Sequence, residues 1–461
     1  MFSLWSPCEM TGEETPPVAN KNWGPGNYIA SGSTNNANIW NKPGSPVGNK
    51  QNRGILQRLA DDPGGKWKGA LLRFSWAKQD VNVGDYLEGD TLGDYTAGFD
   101  AVESYLNQMA AYPGKRLIIF IQLKTFGVDN HAVPLYMRNS ATYADGKNYY
   151  STINGAVQQG SRNGEYAYES SNGGPGGYVP NMHVAAVRAR FEALMTAFAT
   201  RFNDNPYIEA IAFTEASIAQ PIGSVGAASE TVGGKVITRP NTDGSRWADK
   251  TDWYDKTAIS LGVAKTALSN VQMCQWINAD RIDMTDYVPK LRAAGIGLGM
   301  PDCCNGTKDF FFRNDTGQPS TNIGNIQHCQ ESAGLTIIMG CVSVQALDGV
   351  VSNRCQTSGT IQSQPTVYPA YPGAAISRQA ERDFAVTDST GPKVTHLLWT
   401  HQPAVMPQTG AVDPNIPPSC AQNPYTAFTG YGGVAYNKIT DDWIQDPGST
   451  VTTVETRPSG W

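Results

Sequence analysis

Short apolar runs alternate with amphipathic stretches along most of this chain. The plainest run is Leu117–Leu123, LIIFIQL, and Ile208–Phe213, IEAIAF, is close behind. Neither shows the clean apolar-polar alternation of a strand with one face in water. Both read as strands covered on two sides, the pattern of a parallel sheet. Similar runs predict strands over Lys68–Ala77, Val271–Asn278, Ile296–Met300, Gly334–Gln345 and Val394–Thr400, with a weaker one near Asn27–Ala30. Between them, apolar residues at helical spacing predict helices over Arg53–Asp61, Tyr95–Tyr112, Met182–Phe202, Trp253–Ser269, Asp286–Ala294 and Ala374–Ala385. Strands alternating with helices argue for a parallel sheet. Seven clear strands and one weak one are the number that closes a (β/α)8 barrel, a TIM barrel. The competing open, doubly wound sheet would want a Gly-rich phosphate turn after an early strand. No G-x-G-x-x-G follows a strand here and no Walker A motif occurs.

The organisation expected is an irregular segment over residues 1–50 that holds the weak first strand, a (β/α)8 barrel over 51–402, and a Pro/Gly-rich extension over 403–461 that packs on it, with a short helix near Asp441–Ile444. Two excursions, 125–180 and 217–250, are longer than ordinary connections, and loops of that length are usually functional. The first is rich in tyrosine (Tyr136, Tyr143, Tyr149, Tyr150, Tyr166, Tyr168, Tyr178), which suits either a substrate wall or a loop core.

In a parallel barrel, active sites are built at the C-terminal ends of the strands. Those ends carry Arg73 and Trp76, Gln122 and Lys124, Thr214 and Glu215, Trp276 and Asn278, Asp302, Gln345, then Trp399 and His401. Polar groups among aromatic rings suit sugars, whose hydroxyls take hydrogen bonds and whose C–H faces stack on Trp and Tyr. Glycoside hydrolysis needs two carboxyl groups across the scissile bond. Glu215, directly after the fourth strand, is placed to be the acid; paired with Arg73 it would be only a structural carboxylate.

Composition narrows the partners. Of 461 residues 16% are charged and the formal charge is −6, so no basic stripe marks a nucleic acid or an anionic membrane. No apolar run of about 18 residues predicts a transmembrane helix. The start, MFSLWSPCEMTGEE, is not an intact signal peptide, since it has no basic n-region and no adequate apolar core. Eight cysteines without CxxC spacing, and five scattered histidines, argue against a zinc site. Disulfides in an oxidising, extracellular compartment are the expectation, with buried thiols the alternative, foremost for Cys274 and Cys341. No metal and no cofactor is implied.

Taken together, KGALLRFSWAKQD, GKRLIIFIQL, RFNDNPYIEAIAFTEAS and THLLWTHQP, in this order and spacing over roughly residues 53–402, resemble the clan-A glycoside hydrolases, the retaining (β/α)8 glycosidases. The resemblance implies Glu215 as acid/base, Arg73 as support for the nucleophile, and Trp399 as the floor of the sugar site. Two positions depart from it. Thr214 stands where Asn is usual before the acid/base, and Gln345 stands where the clan has its nucleophilic Glu. A Gln can neither form the glycosyl ester nor act as a base. Three explanations stay open: an inactivating Glu→Gln substitution at position 345; another carboxylate, Asp302 before Asp348, working as the base of an inverting pair; or a barrel that binds glycan without cleaving it.

The function expected is hydrolysis of a β-linked poly- or oligosaccharide, endo-acting, with Glu215, Gln345 and Asp302 at the catalytic positions. Arg73, Trp76, Gln122, Asn278, Trp399 and His401 are the expected substrate contacts. An adhesin-like glycan-binding barrel and a polysaccharide lyase acting on uronates are the alternatives. Arg73 and Lys124 would suit an acidic sugar.

Overall fold

A computed structural model describes residues 23–31, 34–40, 54–62, 65, 67–80, 84–125, 130–144, 150–153, 156–159, 161–169, 175–214, 229–232, 235–238, 250–276, 284–300, 338–342 and 395–401. Eight of its strands form one parallel ring. They are β1 (Gly26–Ser31), β2 (Trp67–Ala77), β3 (Arg116–Gln122), β4 (Ile208–Phe213), β5 (Gln272–Trp276), β6 (Gly297–Met300), β7 (Ile338–Val342) and β8 (His396–His401). Each pairs with the next in parallel, and β1 closes the ring by pairing with both β8 and β2. The architecture is therefore the (β/α)8 barrel. The weak strand expected near Asn27–Ala30 is real and is the closing strand.

The main helices after the first five strands are α1 (Ile55–Ala60), α2 (Thr96–Met109), α3 (Ala185–Phe202), α4 (Lys250–Ala267) and α5 (Met284–Ala293), with one-turn helices at Asn36–Trp40 and Leu135–Arg138. The helix expected at Ala374–Ala385 and the whole 403–461 extension lie outside the described residues. Two apolar clusters match the two faces of the ring. The larger joins outward strand residues such as Leu72, Phe74, Ile119, Ile121, Ile211 and Leu397 to helix residues such as Val102, Phe191 and Leu261. The smaller fills the lumen with Tyr28, Ala30, Leu71, Ile118, Phe120, Ala210, Ala212, Cys274, Trp276, Met339 and Leu398. Apolar burial on both faces is why these strands read as continuous hydrophobic runs.

The long excursions contain structure of their own. A short strand, Tyr86–Glu88, adds to the upper part of β2 in parallel. Within 125–180, strands Tyr150–Ile153 and Ala156–Gln159 form one hairpin, and Glu165–Glu169 pairs with Pro175–Pro180. A hairpin after β4, Ser229–Val232 with Lys235–Thr238, joins the first through Thr238 and Thr152. The βα connections of β3 and β4 thus share a four-stranded antiparallel sheet.

Cys274 is buried on β5 as a thiol, outside any disulfide. No disulfide occurs among the described residues, so the expected disulfide framework gains no support; Cys8, Cys303, Cys304, Cys329, Cys355 and Cys420 lie outside them. Among the described residues no helix is long and apolar enough to cross a membrane.

Candidate active site at the barrel mouth

Arg73 is the charged side chain that the upper lumen is built around. Its position on β2 alternates with the outward residues Leu72 and Phe74, and its guanidinium lies 4.9 Å from the centre of the Phe120 ring and 6.0 Å from that of Trp276. Those two rings meet edge to face at 4.5 Å. A guanidinium over aromatic faces is held by the ring quadrupoles. Arg73 Nε also donates to the Ser31 carbonyl at the end of β1, at 2.8 Å. Gln122, half-buried at the end of β3, sits beside Ser75 in register, two residues above Arg73.

Thr214, the residue before Glu215, ends β4 in a defined way. Its N–H donates to the Ile121 carbonyl at 3.1 Å, continuing the ladder. Its Oγ1 accepts the backbone N–H groups of Leu123 at 2.8 Å and Lys124 at 3.0 Å. The Gln275 side chain donates to the Thr214 carbonyl from the β5 side. A hydroxyl in this place satisfies two buried donors at the end of β3, which gives the Thr in place of the resembled Asn a physical role. Glu215, Asn278, Asp302 and Gln345 lie outside the described residues. His401 ends β8 opposite Ser31, and its backbone alone is described.

Two expectations are corrected. Trp76 and Trp399, expected to stack a sugar ring, are fully buried in the layer between strands and helices. Trp76 packs edge-on against Phe191 of α3 at 5.7 Å, and its Nε1–H donates to Glu88 at 2.9 Å. Trp399 Nε1–H donates to Asn27 Oδ1 at 3.1 Å. The parity of a strand sends alternate residues to opposite faces, and both tryptophans fall on the outward parity. Among the described residues, the lumen cluster takes its aromatic rings from Tyr28, Phe120 and Trp276, the last two lying beside Arg73.

Where its side chains are described, the tyrosine-rich excursion packs as a loop core, with Tyr136 and Tyr143 half-buried. Tyr166 and Tyr178 are buried. Tyr136 donates to the buried Glu88 at 2.9 Å, and Arg190 of α3 reaches both, at 2.9 Å to Glu88 and 2.8 Å to the Tyr136 oxygen. Burial, then the Glu88 charge, pushes the Tyr136 phenol well above its ordinary range. A second buried knot lies nearby: Glu165 accepts from Ala132 N–H at 2.9 Å and meets His131 Nδ1 at 2.8 Å. Gln79 brackets the same histidine, accepting its N–H and donating to its carbonyl. These knots dock the β3–α3 excursion onto the end of β2.

The other end of the lumen is closed by charge. Glu209, fully buried, accepts from Gly24 N–H at 2.7 Å and Arg116 at 3.2 Å, and lies 2.9 Å from His396 Nε2. Burial alone would raise its carboxyl; His396, the Gly24 N–H and Arg116 outweigh that and hold it below the usual range. His396 is a fully buried residue of β8. A charged residue inside an otherwise apolar strand was the visible sign of this cluster. Nothing comparable announced Asn36, which holds the Arg73 backbone from behind, or Asp85, which braces Asn36. Among the described residues no group of three or more His, Cys, Asp or Glu is placed to hold a metal ion.

These features define a closed (β/α)8 barrel with an arginine-centred mouth. No family model and no curated protein matches the sequence. Solved structures overlap it weakly. A psychrophilic family 10 endo-β-1,4-xylanase is 10% identical, with 82% of this chain and 86% of that one covered and a TM-score of 0.34. A β-mannanase from the blue mussel Mytilus edulis is 8% identical, with 81% and 86% covered and a TM-score of 0.37. Bacillus licheniformis trehalose-6-phosphate hydrolase is 9% identical with a TM-score of 0.39; 84% of this chain overlaps 65% of it. At such identities and scores no substrate or catalytic residue transfers to this chain.

Proposed function

We propose that this chain is a glycoside hydrolase acting on a β-linked poly- or oligosaccharide at the C-terminal mouth of its barrel. The observation that carries the reading is Arg73, held in the upper lumen of a closed parallel barrel by the Ser31 carbonyl and two aromatic rings. Glu215 follows Thr214 at the end of β4 and donates its proton to the leaving glycosidic oxygen. Arg73 faces the carboxylate or sugar oxygen on the opposite side, and Gln122, Asn278 and His401 take sugar hydroxyls. The long connections after β3 and β4 favour an open groove and endo action, and the protein works outside the cell. No cofactor takes part.

Gln345 decides the rest. An amide there neither attacks the anomeric carbon nor activates water, so a retaining enzyme would be disabled at this position. Asp302, after β6, is the alternative partner. As the base of an inverting pair it would stand about 6.5–9.5 Å from Glu215, against about 5–5.5 Å for a retaining pair.

The test is reducing-sugar release over a polysaccharide panel, with this chain beside its Gln345→Glu variant. Cleavage by the variant alone marks a retaining mechanism with a disabled nucleophile. Cleavage by both, abolished by Asp302→Asn, marks the inverting pair. Saturable binding without cleavage by either chain, undiminished by Glu215→Gln, replaces the hydrolase with a glycan-binding barrel, the reading that Gln345 favours. Ultraviolet-absorbing unsaturated products would mark a lyase.

A further inference from the structure

β2 has eleven residues and β1 has six, so β1 cannot cover the whole edge of β2. Their register ends at Ala30 opposite Leu71. Higher up, the same edge is taken by Tyr86–Glu88, which begins opposite Ser75, just after the Asp85 carbonyl accepts the Ser75 N–H at 3.0 Å. Arg73 falls in the gap between the two. Arg73 is only half-buried as a residue, but its backbone on this edge still needs one acceptor and one donor, and neither β1 nor Tyr86–Glu88 reaches it.

The side chain of Asn36 does. Its Oδ1 accepts the Arg73 N–H at 3.2 Å, and its Nδ2 donates to the Arg73 carbonyl at 2.7 Å. A primary amide carries the same donor and acceptor as a peptide group, so one fully buried side chain stands in for a strand residue. The second Nδ2 proton goes to Asp85 Oδ2 at 2.9 Å, which also accepts from Tyr105 of α2 at 2.8 Å. Asp85 is tied in turn to the Asn36 segment, its N–H donating to the Thr34 carbonyl at 2.8 Å. With Nε on Ser31, Arg73 is held by its backbone on one side and its side chain on the other.

We propose that Asn36, braced by Asp85 and Tyr105, is a positioning residue for Arg73. It substitutes for the missing strand edge and so fixes where the guanidinium stands in the barrel mouth. Asn alone fits: Asp at 36 has the same shape but no donor for the Arg73 carbonyl, and it would face Asp85 with a second carboxylate. The consequence for catalysis rests on the hydrolase reading; the positioning itself does not.

The experiment uses the full chain labelled with nitrogen-15 arginine, the Arg73 Nε–H resonance being assigned by its loss in Arg73→Lys. Asn36→Ala and Asn36→Asp are expected to shift that resonance and to speed its exchange with water by about tenfold. Asp62→Asn, which weakens the Lys115 pair at the opposite end of β2, is the control; it should lower Tm and leave the resonance in place. If either Asn36 variant fails to fold, Tyr105→Phe removes only the outer brace and should give a smaller shift in the same direction. An Arg73 resonance unmoved in every folded variant overturns the proposal. Where glycan cleavage is measurable, Asn36→Ala should lower kcat on the order of tenfold with KM little changed. A native chain that cleaves nothing, with an Arg73 signal that still responds, sinks the hydrolase reading and leaves the positioning standing.

Discussion

Trp399 and Arg73 show how a single residue's meaning depends on the face it takes. Trp399 matches a sugar-stacking tryptophan by sequence position, yet its indole N–H is bound to Asn27, 372 positions away, on the helix side of the barrel. Trp399→Phe should therefore cost stability and leave glycan binding alone. The loss expected is about 1–3 kcal/mol, for a buried acceptor left without its donor and a smaller ring. Urea melts beside glycan-binding titrations check this; weakened binding at unchanged stability would put the indole back in the mouth. Arg73 was readable as a strand-end cation. What holds it was not, because the sequence before Asn36 is polar and carries no periodicity to single it out. Its role exists only where β1 runs out.

At the scale of elements, the strands were legible and their neighbours were not. Each expected strand overlaps an observed one, as the run VQMCQWIN overlaps β5 and IGLGM overlaps β6. The glycines of β6 could be read only as weak points in a strand. In the barrel Gly299 makes room for Trp276: a Cβ at 299 would lie 2.3 Å from Trp276 Cδ1 and 2.7 Å from its Nε1. Gly299→Ala should thus push the indole off β6 and disturb the Arg73–Phe120–Trp276 stack. Overpacking of this kind costs about 1–3 kcal/mol. A lowered urea midpoint with a changed near-ultraviolet tryptophan signal is the expected result, and a variant identical to the parent in both would refute the contact. Thr214 belongs to the same scale. Its hydroxyl ties the end of β4 to the end of β3, so the chain leaves toward Glu215 from a fixed point.

For the whole molecule, the two ends of the lumen divide the work. The mouth collects Arg73, Gln122 and the strand ends that lead to the proposed chemistry. The opposite end is sealed by Glu209, His396 and Arg116, and in barrels of this class that face serves stability. Glu209 makes a pH prediction. Its carboxyl is held below the unfolded value of about 4.3, so the unfolded chain takes up the proton first as pH falls. The stability it contributes is complete above that value and is lost as pH drops through the folded one. Glu209→Gln should flatten the acid limb of a stability-versus-pH curve. At neutral pH it should cost about 3–5 kcal/mol, the penalty for breaking a buried ion pair. An acid limb as steep as the parent's would remove Glu209 from the account. The alternation of buried strands and amphipathic helices determined the barrel, and the lack of phosphate-binding turns excluded its chief rival. The same sequence also set which residues lie near the strand ends. Only the tertiary structure decided that β1 closes the ring, that Trp76 and Trp399 face the helices, and that Asn36 completes the edge of β2. Strands apolar on both faces carry no mark of which parity points inward. The deciding partners are also far apart in the chain, 37 positions for Asn36 and Arg73 and 187 for Glu209 and His396, and they meet only when the ring closes.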